Sequence, residues 1–379
     1  MDFQENEMQT ELRHLTRKFA CKEMLPLVEA DEEKEHFRPE LVAKLGELGL
    51  TGIPVPEEFG GAGLGYQEYI CTIEELAAVN TSYAISVAVT GLPQVILNLF
   101  GTSEQKSKYI PSLAAGQAIG AFALSEASSG SDAGSLRTVA RKEGNEYVLN
   151  GTKLWITQGD SASTLIVMAR TGGPGTKGVS AFIVEKGTPG FSCGKREKKM
   201  GCSISHTMEL VFNNCRIPAA NLVGNEGDGF KVAMTALDSG RITIAATALG
   251  VARGALDAAV SHSREREQFG KPIGEFQGVS FMLADMAVQL DAARLLVNRA
   301  AWLKDNGLPY SKEAAMAKLF ATDMAMKVTT DAVQVLGGSG YTKEFPAERY
   351  MREAKVLQIV EGTNQIQRVV IARSLTQKS

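Results

Sequence analysis

Val148-Leu149-Asn150-Gly151-Thr152-Lys153-Leu154 decides how the chain divides. An apolar run meets Asn-Gly, a pair that accepts the positive φ angles of a type I′ turn, and a second run follows. The pattern predicts a β-hairpin. Around it, from about Ala118 to Gly224, β-rich runs recur at 164–169, 179–185 and 208–212. Turns such as Gly172-Gly173-Pro174-Gly175 separate them. The middle region, 118–225, therefore reads as a small antiparallel barrel or sandwich.

On either side the apolar period lengthens to three or four residues. In region 1–117 the pattern predicts a helix over 8–28 and a second opened by Arg38-Pro39, with proline at a tolerated first-turn position. Gly49, Pro54 and Pro56 end that second helix. Further helices are expected over 67–79, 83–100 and 103–115. Region 226–379 predicts four long helices, over 229–265, 275–306, 311–336 and 345–375, joined as an antiparallel bundle. The fold class is α+β: a helical N-terminal domain, a β domain and a helical C-terminal bundle.

The composition excludes several functions. A net charge of −3 gives no electrostatic case for nucleic acid or an acidic membrane. The apolar stretch 83–100 contains Gly91, Pro93, Gln94 and Asn98. It reads as a buried core helix rather than the roughly 20 apolar residues of a membrane span. Five scattered cysteines without a CxxC argue for reduced thiols, and four histidines show no ligand spacing, so no metal is expected. The acidic, polar start MDFQENEMQT resembles neither a secretory signal nor a transit peptide, so bacterial cytoplasm or mitochondrial matrix is expected.

The glycine cluster 60–65 lacks a following Gly-Lys-Ser/Thr and reads as a surface turn. More informative is Ala123-Leu124-Ser125-Glu126-Ala127-Ser128-Ser129-Gly130-Ser131-Asp132-Ala133-Gly134. There an apolar strand enters a loop of small hydroxyl and glycine residues, which suits a flat polar ligand or a phosphate, or else a plain linker.

Four segments together resemble the acyl-CoA dehydrogenase family, in its order and spacing: 123–134, Arg266-Glu267-Gln268-Phe269-Gly270-Lys271-Pro272, Gln334-Val335-Leu336-Gly337-Gly338-Ser339-Gly340-Tyr341, and Glu361-Gly362-Thr363-Asn364-Gln365-Ile366-Gln367-Arg368. The resemblance implies FAD as cofactor. It places Phe122, Leu124 and Ser125, with Trp155, Ile156 and Thr157, against the flavin ring. It gives Arg266, Gln268, Phe269, Gln334, Gly337, Gly338, Thr363 and Gln365 to the remainder of FAD, some from a neighbouring subunit. Ser131, Asp238, Arg241 and Gly362 match substrate positions. Taken alone, Asp238 and Arg241 equally read as a helical i,i+3 ion pair.

The resemblance also implies a reaction. Glu361, after the apolar run Val356–Val360 and before Gly362, matches the base that removes the proton next to a thioester carbonyl. Its backbone N–H would help to hold the thioester oxygen. Some relatives carry the base just before the arginine matched by Arg241, where this chain has Gly240. Acyl-CoA substrate, an electron-transferring flavoprotein as electron acceptor and a homotetramer are further expectations. Strings at 170–178, 184–190 and 316–323 look most like the isobutyryl-CoA dehydrogenase branch, which suggests a C4–C5, α-branched acyl group. An oxygen-reacting oxidase and a non-catalytic CoA-binding relative are the alternatives.

Overall fold

A computed structural model describes residues 4–376. The outermost positions of the first and third regions, 1–3 and 377–379, lie outside the described residues. The N-terminal region contains α1 (Glu7–Phe19), α2 (Val28–Lys34), α3 (Pro39–Glu47), α4 (Tyr66–Val79), α5 (Thr81–Phe100) and α6 (Ser103–Ala114). The helix expected over 8–28 is interrupted. A π turn (Ala20–Met24) and a 3-10 turn (Leu25–Leu27) containing Pro26, which has no N–H to donate to the preceding turn, separate α1 from α2. Pro39 opens α3 as expected. In the glycine cluster 60–65, Gly60 and Gly63 adopt positive φ and form a turn.

The middle region supplies β1 (Gly120–Ala123), β2 (Val139–Glu143), β3 (Glu146–Thr157), β4 (Thr164–Arg170), β5 (Val179–Glu185), β6 (Phe191–Arg196), β7 (Thr207–Pro218) and β8 (Leu222–Val223). Their order is β6-β7-β3-β2-β4-β5-β8, with β1 added alongside β4. The pairing is antiparallel except for β1–β4 and β2–β4, which are parallel.

The expected hairpin at Asn150-Gly151 does not exist. The chain reverses one turn earlier, between β2 and β3, where Gly144 has φ 62°. Asn150-Gly151 instead forms a bulge within continuous β3, with a register shift against β7 between Leu149 and Gly151. Gly151 is required there: its φ is 149°, and a Cβ would lie 2.5 Å from Thr138 Oγ1. The conformational freedom that serves a turn serves a bulge equally.

The C-terminal region contains α7 (Gly229–Glu265), the short hairpin β9 (Glu267–Gln268) and β10 (Lys271–Pro272), then α8 (Gln277–Asp305) and α9 (Ser311–Leu336). The pattern over 345–375 is not one helix but two, α10 (Ala347–Leu357) and α11 (Asn364–Thr376). The break between them carries Glu361. Helix α7 is the axis of the molecule. Its middle, from Ile242 to Ala259, belongs to a core shared with α4, α5, α8, α9 and α10. Its first turns, with Val232, Ala233 and Ala236, join a second core with α5, α6 and the sheet. Helices α5 and α7 are long and apolar enough to cross a membrane, yet 72% of each apolar window is buried inside the fold.

Candidate active site

The break between α10 and α11 is built to hold one carboxylate. Glu361 has φ 55° and Gly362 φ 86°, so two successive residues are left-handed. For glutamate this conformation is costly and persists only where neighbours enforce it. The enforcement is visible. Gln367 Nε2 donates to the carbonyls of Glu361 (3.2 Å) and Gly362 (2.7 Å). Lys318 Nζ on α9 donates to Gly362 O (2.9 Å) and to Asn364 Oδ1 (2.8 Å). Asn364 N closes the loop onto Gln358 O (3.0 Å).

The Glu361 side chain lies in a notch on α7. A Cβ added at Gly240 would stand 2.5 Å from Glu361 Oε2 and 3.3 Å from a methyl of Leu92 on α5. Residue 240 must therefore be glycine while the carboxylate occupies this place, and a side chain at 240 would reach the same point. Among the described residues Oε2 has no hydrogen-bond partner and no contact with solvent. Burial raises the proton affinity of Glu361, to a pKa of about 7, against the lowering influence of Arg241 and Lys318. The Glu361 backbone N–H also has no acceptor among the described residues.

Arg241 lies one residue beyond the notch and is 4% exposed. It forms the i,i+3 ion pair with Asp238, which also accepts from Ser311 Oγ (3.0 Å). Arg241 Nε is buried without a partner among the described residues, so the guanidinium retains an unused donor beside Glu361. Burial raises the Asp238 pKa despite Arg241. A cavity of about 190 Å³, lined in part by Gln94, Val95, Leu99 and Lys304, lies one α5 turn from Leu92. Lys304 Nζ links it to Ser239 Oγ (2.8 Å). Ser131 is exposed on its loop.

The residues expected at a flavin ring come from two adjoining stretches. Leu154 N donates to Ser125 O (2.9 Å), which joins the end of β1 to β3. At that point β3 has a second register irregularity, between Lys153 and Ile156. Trp155 within it has φ 59° and is 54% exposed. A bulge re-aims a side chain that regular pleating would have placed otherwise. Leu124 and Ile156 are buried, while Phe122, Ser125 and Thr157 are half-buried.

Sequence reasoning missed what supports this strip. Lys153 is fully buried, and its Nζ donates to Leu124 O (2.9 Å) and Glu126 Oε1 (2.8 Å). Glu126 in turn accepts from Arg137 N (2.6 Å) and Thr138 N (2.9 Å). One buried pair thus fixes both ends of the 125–138 loop. Burial lowers the Lys153 pKa to about 8, against the attraction of Glu126.

The remaining expected cofactor residues lie on exposed edges. Phe269 and Gly270 are the two positive-φ residues between β9 and β10, and Phe269 is 94% exposed. Arg266 and Gln268 beside it are exposed too. Gln334, Gly337 and Gly338 end α9 on an open surface, and a Cβ at either glycine would meet nothing within 4 Å. Thr363 caps α11, accepting from Ile366 N (3.3 Å). The donor set fits FAD. A flat apolar face with hydroxyl neighbours suits a flavin ring, and Arg266 and the capped helix N-terminus suit a diphosphate.

Three family profiles match the chain: acyl-CoA dehydrogenase, N-terminal domain (residues 6–117), middle domain (121–215) and C-terminal domain (227–376). The chain is 48% identical over 374 residues to the short-chain specific acyl-CoA dehydrogenase of Clostridium acetobutylicum, covering 98% of this chain and 99% of that one. It superposes with TM-score 0.98 on butyryl-CoA dehydrogenase from Megasphaera elsdenii, at 45% identity with full coverage of both chains. It matches equally well, at TM-score 0.98, 50% identity and full coverage of both chains, a chain in the structure described as "Electron transferring flavoprotein of Acidaminococcus fermentans: Towards a mechanism of flavin-based electron bifurcation".

Proposed function

The chain belongs to the acyl-CoA dehydrogenase family, and we propose that it desaturates a short-chain acyl-CoA between the α and β carbons, with Glu361 as the base. It is an FAD-dependent oxidoreductase of that family. The observation that carries the reading is Glu361 Oε2, shielded from solvent and without a hydrogen-bond partner among the described residues. An exposed glutamate near 4.3 would be a weak base for a thioester α-proton, whereas one near 7 is matched to neutral pH.

The Glu361 N–H, which has no acceptor among the described residues, holds the thioester oxygen as charge develops on it. Arg241, oriented by Asp238, offers its unused donor to the CoA portion, with Ser131 and Gly362 nearby in role. When bound, FAD supplies the acceptor for the β-hydride. Phe122, Leu124, Ser125, Trp155, Ile156 and Thr157 hold its ring. Arg266, Gln268, Phe269, Gln334, Gly337, Gly338, Thr363 and Gln365 hold the remainder.

The acyl group is short, four or five carbons, and accepts an α-methyl branch. The short-chain and butyryl-CoA relatives support the length. The branch rests on Val360, a modest side chain immediately before the base. An electron-transferring flavoprotein takes the electrons, in cytoplasm or mitochondrial matrix. The chain assembles as a homotetramer. Phe281, Val288 and Leu295 support this: they stand exposed on α8 at seven-residue spacing, an apolar stripe suited to a helix of another copy.

The test is anaerobic flavin bleaching with butyryl-, isobutyryl-, 2-methylbutyryl-, isovaleryl- and octanoyl-CoA. A methyl or methylene misfit changes discrimination by about 1–3 kcal/mol, so the four short thioesters should fall within roughly a hundredfold of one another. Octanoyl-CoA as the best substrate would overturn the short-chain reading. A clear preference for butyryl-CoA would remove only the branched part.

A further inference from the structure

Lys318 is an ionisable group in a place where lysine is seldom found. It sits on α9 between Ala317 and Leu319, on the stripe that also carries Ala314, Ala321, Ala325 and Val328, and its exposure is zero. A buried ammonium is retained only where its donors are used. Two of its three N–H groups are accounted for, by Gly362 O and Asn364 Oδ1. Thr322 Oγ1, one helical turn along, also donates to Asn364 Oδ1 (3.2 Å). Asn364 Nδ2 donates to Asp323 Oδ1 (2.6 Å), which accepts from Gln358 Nε2 as well (2.7 Å). Both flanks of the Glu361 turn are thereby tied to one face of α9, and Lys318 is the tie nearest the base.

We infer that Lys318 is a positioning residue for the base: it holds the left-handed Glu361–Gly362 turn through the Gly362 carbonyl, and its charge sets how readily Glu361 ionises. The inference rests on Glu361 being the base and adds a second residue that acts only through it. The charged groups facing this site are few. Arg241, paired with Asp238, faces it from α7, and Asp323 lies on α9 itself. Arg368 from α11 is bound to Asp323. Glu361 faces Lys318 from the loop. Burial lowers the Lys318 pKa to about 7, opposed first by Glu361. Lys318 and Glu361 therefore exchange protons over one pH range, and each stabilises the charged form of the other.

The sign follows directly. A positive neighbour favours the carboxylate, so removing it raises the Glu361 midpoint. The experiment uses FAD-loaded wild type, K318Q, K318M and K318R. The Glu361 carboxyl is followed by infrared difference titration, its band assigned by its loss in E361Q. Flavin reduction by butyryl-CoA is followed on the same samples. K318Q keeps a donor for the Gly362 carbonyl, K318M keeps neither donor nor charge, and K318R keeps a permanent charge. K318Q and K318M should shift the carboxyl midpoint upward by about one unit, and K318R should leave it at or below the wild-type value. Flavin reduction in K318Q should fall about tenfold on the acid side of the profile and recover at alkaline pH, while K318M stays slow throughout.

An unchanged midpoint in a folded K318Q would overturn the inference, as would full recovery of K318M at alkaline pH. If the neutral variants do not fold, a K318R midpoint above wild type would overturn it. The carboxyl titration does not depend on turnover. A Glu361 that titrates as described in an enzyme whose E361Q variant remains active would reject the base assignment while leaving the Lys318 coupling intact.

Discussion

Two of the sites at which the chain shields carboxylate oxygens from water treat them oppositely. On α4, Glu74 and Glu75 are 2% and 1% exposed. Glu75 accepts from Arg17 (2.9 and 3.0 Å), Arg253 (2.6 and 2.8 Å) and Arg13 (3.2 Å). Glu74 is paired with Arg13 (2.9 Å) and Arg294 (2.8 Å). Burial pushes the Glu75 pKa upward, but hydrogen bonds from Arg253 and Arg17 outweigh it and bring it to about 2; Glu74 is also lowered. Glu361 meets the same desolvation beside two cations, yet Oε2 receives no hydrogen bond, and its pKa rises to about 7. The difference between a structural carboxylate and a basic one is thus not burial. Between these two sites it is whether cationic donors touch the oxygens or act only from a distance.

The sharpest way to break this contrast is to neutralise each site. E361Q should lose about 10²–10⁴ in the rate of flavin reduction while FAD content and fold are kept, because loss of a general base typically costs that much. Stopped-flow absorbance measures it, and a loss below about tenfold would remove Glu361 from the chemistry. E75Q should do the reverse. Leaving Arg13, Arg17 and Arg253 facing a neutral amide should cost about 3–5 kcal/mol of stability, with flavin reduction per bound FAD unchanged. Urea unfolding measures the first part, and a stability change near zero would make the cluster decorative.

The two sites should also leave opposite marks on stability against pH. For Glu75 the folded pKa lies below the unfolded one. Its contribution is complete above the ordinary carboxylate range and is lost as pH falls toward about 2. For Glu361 the folded pKa lies above the unfolded one. The folded chain holds a proton that the unfolded chain has released, so stability declines as pH rises from the ordinary range to about 7. E361Q should therefore unfold at a higher temperature than wild type at mildly alkaline pH and match it in acid. Calorimetry at two pH values decides this, and an E361Q variant less stable at alkaline pH would contradict the desolvation argument. A smaller effect is expected at the cofactor edge. Arg266→Ala, removing an exposed charged donor, should weaken FAD retention by about 1.5–3 kcal/mol and loosen the oligomer. Full flavin occupancy with unchanged sedimentation would count against that role.

Much of this was legible in the residues. The change of period marked the β region, and α7 and α9 end where the pattern ends. The break at Glu361 was hidden because Gln358, Val360 and Glu361 all suit a helix. Only Gly362 signalled a stop, and the left-handed turn depends on Lys318 and Gln367, distant or later in the chain. Lys318 itself had a signal, a lysine on the apolar stripe of α9, which reads as a core position by periodicity. The Asn150-Gly151 bulge was misread because positive φ is common to turns and bulges, and only the partner strand β7 distinguishes them. No spacing rule could reveal that Gly240 makes room for Glu361, since that contact joins residues far apart in the chain.

The most direct measurement is the rate of flavin reduction by butyryl-CoA in the wild-type enzyme, followed anaerobically from about pH 5.5 to about pH 9. The expected result is a rise of about tenfold per pH unit on the acid side, bending to a plateau near the Glu361 pKa of about 7, with that limb absent from the residual rate of E361Q. A wild-type profile that is flat across this range, or that has already levelled off in the ordinary carboxylate range, would contradict the claim that a desolvated, unpartnered Glu361 is the base.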